Sequence, residues 1–141
     1  MPGVQPVFRF GLRVSFTAVS AVVGGQLVEH RPLGANPGKR ACGPAAAGSL
    51  RVAGVAHWDV PATAATSAGS KVGDEHALTV ISDCIVPVTF TLAAAEGDPL
   101  IIGTVAGQVA PAGATPDARS LIGRAYEAVA AGTVGLARIS V

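Results

Sequence analysis

The residues best placed to do chemistry are His57, Trp58 and Asp59, where an imidazole and a carboxylate stand two positions apart. On a strand, residues i and i+2 share a face. Asp59 could therefore orient His57 as a base, or the two could supply a pair of metal ligands. A hydrolase built on them needs a nucleophile, and no serine or cysteine occupies a Gly-x-Ser-x-Gly elbow. The other histidines, His30 and His76, stand alone. Trp58, the single tryptophan, reads more simply as an anchor in a core or an interface.

Two further clusters fail on spacing. Gly34-Ala35-Asn36-Pro37-Gly38-Lys39-Arg40 approaches a phosphate-binding loop, yet Leu33 stands where the first glycine belongs and Arg40 where a hydroxyl should hold magnesium. Pro37 also removes an N–H from the cradle, so the segment reads as a turn. Asp74-Glu75-His76 lacks the regularly spaced oxygen ligands of a calcium loop and reads as a solvated loop tip. Glu96 and Asp98 belong to a turn ahead of Pro99. Cys42 and Cys84 have neither zinc spacing nor a disulfide framework around them, and read as two reduced thiols; outside a cell a single bridge between them stays open. The expectation is therefore no catalytic residue, no metal and no cofactor.

Composition narrows the class. Charged residues make up 13% of the chain and hydrophobic ones 50%, against roughly 25% charged in typical soluble domains. So apolar an exterior is rarely tolerated by a monomer, and points to a chain that lives inside an oligomer. The formal charge is +1, with no like-charge run longer than two residues, which argues against a nucleic-acid partner. The longest uncharged stretch near the start, Val14 to Val28, is too short and too polar to span a bilayer. No targeting segment is evident at the start, so a soluble protein made in a cytoplasm is expected.

The elements that must carry these residues read as strands. Eighteen glycines and ten prolines punctuate short Val-, Ile- and Thr-rich runs, the pattern of an all-β domain. Strand signals fall at Val7–Val23 (one long or two short), Gln26–His30, Ser49–Val60, Ala77–Ile81, Cys84–Leu92 and Leu100–Val109. Pro87 predicts an edge or a bulge for the second of the Val-rich pair. Ser120–Val129 and Val134–Val141 read as a terminal hairpin, with a helix over Arg119–Ala131 as the competing assignment. The expected organisation is residues 1–12 as an N-terminal arm or first strand, followed by one β domain over residues 13–141.

Three segments together resemble a known family, the capsid decoration or cement proteins of tailed bacteriophages. They are Ala47-Gly48-Ser49-Leu50-Arg51-Val52-Ala53-Gly54-Val55-Ala56, then Glu96-Gly97-Asp98-Pro99-Leu100 followed by Gly103, and then Leu121-Ile122-Gly123-Arg124-Ala125 with Gly132 and the run to Val141. The resemblance covers about residues 24 to 141, with Ala62–His76 departing from it as an insertion. It implies a single compact β-barrel or β-tulip-like domain, a homotrimer on the outer capsid surface of a virion, assembled in the host cytoplasm. The major capsid protein is the implied partner, with no membrane and no nucleic acid.

On that reading Phe8, Arg9 and Phe10 anchor an arm to the shell, and Trp58 packs within the trimer, since aromatics and arginine are enriched at interface centres. The alternative for the arm is an ordinary first strand. Rival functions are another virion part, such as a head fibre base or a tail-tube subunit, a small β-barrel hydrolase using His57 and Asp59, and a ligand-binding barrel.

Overall fold

A computed structural model describes residues 12–31, 40–60, 77–114 and 116–141. Phe8, Arg9 and Phe10, the loop at 62–76 and most of the Gly34–Arg40 turn lie outside these residues.

Five strands from the first part of the chain close a barrel: β1 (Arg13–Ala18), β2 (Leu27–Arg31), β3 (Ala41–Pro44), β4 (Val52–Ala56) and β5 (Ala77–Ile81). Around the barrel they run β1-β3-β2-β4-β5, and β5 pairs back onto β1. Only β1 and β3 are parallel. Closure leaves these strands without free edges, the surest protection for a chain this poor in charge.

The second half forms an antiparallel sheet from β6 (Cys84–Thr89), β7 (Pro99–Ile102), β8 (Val109–Pro111), β9 (Gly123–Ala125) and β10 (Val134–Ile139), ordered β6-β10-β9-β7-β8. A parallel bridge between Phe90 and Val109 curls the far strand round toward the end of β6. Pro87 lies on β6, an outer strand of this sheet, in agreement with the edge expected from its missing N–H. The only helical element among the described residues is a 3₁₀ turn at Ala118–Ser120, capped by Asp117 accepting from the Arg119 N–H. The helix over 119–131 is thus replaced by β9 and a turn.

Two cores follow from the period-two alternation of side chains. Phe16, Val28, Cys42, Ala56, Leu78 and Val80 fill the barrel lumen, closed off by Val22 and Val60. Leu27, Val55 and Ile81 point outward from the barrel onto Val86, Val88, Phe90, Leu100, Ile102, Val109, Ala137 and Ile139 of the sheet. Adjacent residues such as Leu27-Val28, Val55-Ala56 and Val80-Ile81 therefore serve different cores, which explains why these runs are continuously apolar rather than alternating.

Backbone hydrogen bonds knit the halves together. Leu27 N–H donates to Gly107 C=O, Gly107 N–H to Ala45 C=O, and Ala45 N–H to Leu27 C=O, at 2.8 to 3.0 Å. The β7–β8 turn is thereby inserted between the ends of β2 and β3. Gly107 has φ +77° and would press a Cβ onto the Gln26 side chain, so both conformation and space require glycine.

Candidate functional site

The His57–Asp59 segment sits at one end of the barrel, just past β4. Ala56 N–H donates to Gln26 C=O, Gly25 N–H donates to Ala56 C=O, and His57 N–H donates to Thr79 C=O at 2.9 Å. The ladder ends there and the chain bends, so His57 and Asp59 do not share a strand face. Beyond the bend Val22 and Val60 exchange both backbone hydrogen bonds and clamp this loop to the β1–β2 loop.

Asp59 serves that clamp. Its Oδ1 accepts from Gly24 N–H at 2.7 Å, and this bond holds the carboxyl below the usual carboxylate range. Gly24 lies so close that a Cβ there would meet Trp58 Cα at 3.2 Å. His57 Nδ1 is buried with no hydrogen-bond partner, so the carboxylate does not orient the imidazole. Burial, then the positive charge of Arg13, lower the His57 pKa from its usual value. The imidazole packs edge-on against Trp58 with ring centroids 5.1 Å apart. The base–orienter contact that a histidine–aspartate dyad needs is not made.

Trp58 is 38% exposed, so it is a surface residue of the barrel end rather than a core anchor. Both thiols are free and buried, Cys42 in the barrel lumen and Cys84 in the core shared with the sheet. Burial pushes their pKa values up to about 12 and about 11, the state of unreactive structural cysteines. No group of three or more His, Cys, Asp or Glu able to hold a metal ion occurs among the described residues.

One ion pair escaped the reading of the residues. Glu29, 4% exposed, lies 2.9 Å from Arg31 Nε and accepts from Ala46 N–H at 3.3 Å, while Arg31 Nη2 donates to Pro44 C=O at 3.0 Å. The signal was the Glu-x-Arg spacing on β2, which puts both side chains on one face. The pair ties β2 to the end of β3 and serves the fold.

What the surface does offer is apolar area. Leu50, Leu121 and Val141 are all exposed and line one groove of about 220 Å³, whose rim carries Arg119 paired to Asp117 at 2.8 Å. Val23 and Val134 flank a second, about 340 Å³, between the barrel end and β6. Neither groove collects convergent titratable groups.

No family model matches the chain, and no curated protein matches it. Among solved structures, its fold is similar to that of the head fiber gp8.5 N base in bacteriophage phi29, with a TM-score of 0.65. The likeness covers 93% of this chain and 95% of that one at 21% sequence identity. It takes in the barrel and the sheet together.

Proposed function

We propose that this chain is a structural protein of a tailed-phage virion that seats on the outer capsid surface as a small closed oligomer and stabilises the shell. The observation that carries the reading is the shared two-part architecture with a phage head fibre base over nearly the full length of both chains. The exposed apolar side chains and the unassembled His57–Asp59 pair support it. No catalytic role is proposed.

The partners are sister copies, three around one axis, and the major capsid protein. A ring of identical contacts closes on itself and avoids open fibres. Several simultaneous contacts with neighbouring capsid subunits make each added one intramolecular, so that weak contacts together resist the outward pressure of packaged DNA. A second reading, a base that carries a fibre, is favoured by the same fold likeness and shares the seat on the shell.

Co-sedimentation of the purified chain with heads of its own phage that lack it tests the seat. Saturable binding at a fixed number of copies per head is expected, and a chain left wholly in the supernatant sinks the proposal. The temperature at which decorated heads release DNA separates the two roles: a rise marks a cement, no change a fibre base. Open-ended stacks of the purified chain would instead mark a tail-tube subunit.

A further inference from the structure

The outer face of the second sheet sets two like charges against each other. Arg138 of β10 and Arg124 of β9 are direct antiparallel partners, and both side chains are exposed. Directly opposed like charges destabilise a sheet, so this arrangement works against folding. The hairpin does not neutralise them. Its own carboxylate, Glu127, accepts from Leu136 N–H at 3.0 Å, and Asp83 accepts from Ser140 Oγ at 3.1 Å. Arg124 Nη1 donates to Gly97 C=O at 2.9 Å, which fixes one guanidinium in place, whereas no side-chain hydrogen bond or ion pair engages Arg138 among the described residues.

The surround is apolar. Ile85 flanks Arg138 across β6 and Pro99 flanks Arg124 across β7, which makes one row over four strands. The next row holds Pro87 and Leu136, and Tyr126 N–H donates to Leu136 C=O, leaving the Tyr126 ring exposed beside them. A groove of about 300 Å³ lies along the pair, with Leu121 on its wall.

We propose that this face docks a protein surface carrying a carboxylate, which both guanidiniums grip while Tyr126 and Leu136 cover the apolar ground beside it. Two arginines and a tyrosine within an apolar field have the composition of a protein interface centre. A phosphate backbone would call for a longer track of positive charge than one pair. The proposal deepens the reading above and rests on it for the kind of assembly, because it names the face that meets the shell.

Titration of the isotope-labelled full chain with a short Glu-rich peptide, followed by NMR, tests it. Resonances of Arg124, Arg138, Tyr126 and Leu136 should shift together and relax back at high salt. Arg138→Glu should weaken binding at least about tenfold, yet melt at the same or a higher temperature, since opposite charges then face each other across the strands. Arg138→Lys should retain part of the affinity. Shifts that are absent or scattered over other faces overturn the proposal. So does an unchanged affinity in Arg138→Glu, or tighter binding of a DNA duplex to this face. Head binding is scored separately, so its failure beside an intact peptide contact removes the virion role and leaves this surface standing.

Discussion

At the scale of single residues, the chemistry legible in the chain dissolves into structure. The pairing of His57 with Asp59 rested on a strand that continued through both, and the ladder stops at Ala56, so Asp59 caps a turn through Gly24 instead. No spacing rule announces where a strand ends when Val60 beyond it is as apolar as Val55 before it. The imidazole has a consequence of its own. Its pKa in the folded chain lies below the ordinary 6.5, so the unfolded chain binds the extra proton first and stability rises with pH across that window. Wild type should therefore lose more stability than His57→Asn between about pH 7 and about pH 5, as thermal melts would show. Asp59 acts in a separate window. Its carboxyl is lowered from 3.8, so its contribution holds above that value and fades only as pH falls through the lowered one.

At the scale of elements, the strands rich in β-branched residues were the readable ones. β5 has the bounds expected for it, and Pro87 lies on an outer strand. β3 was missed because Ala41-Cys42-Gly43-Pro44 carries no strand signature; its place comes from pairing with β1 and β2, which local sequence does not display. The single strand expected over 100–109 is β7 and the start of β8, split where Gly103 and Gly107 allow the turn. The terminal hairpin is present, with a longer tip than four residues, since β9 stops at Ala125 and β10 starts at Val134. Its closeness depends on Gly123, where any Cβ would collide with the Arg138 carbonyl oxygen. Gly123→Ala should cost roughly 2 kcal/mol or more in urea unfolding, whereas Gly132→Ala, with open space around it but φ +73°, should cost about 1 kcal/mol.

At the scale of the whole molecule, the low charge read from composition takes the form of exposed Leu50, Trp58, Leu92, Leu121, Tyr126 and Val134 spread over both halves. If Trp58 packs between sister copies, as the family resemblance implies, Trp58→Ala should lower the sedimentation coefficient to that of a single chain; an unchanged coefficient would remove Trp58 from the contact. How the halves join was not legible, because the Leu27–Gly107–Ala45 linkage connects residues far apart in the chain. The division itself follows chain order: every barrel strand ends by Ile81, and every strand of the sheet starts at Cys84 or later. A ribosome therefore releases all barrel strands before the sheet has left the exit tunnel, and domains of nascent chains fold from the N-terminus. A barrel formed in that interval would present Leu27, Val55 and Ile81 to water, since their cover comes from the sheet. Slow translation beyond residue 83 should favour clumping of nascent chains at this greasy flank, and arrival of Phe90 and Ile139 should end it.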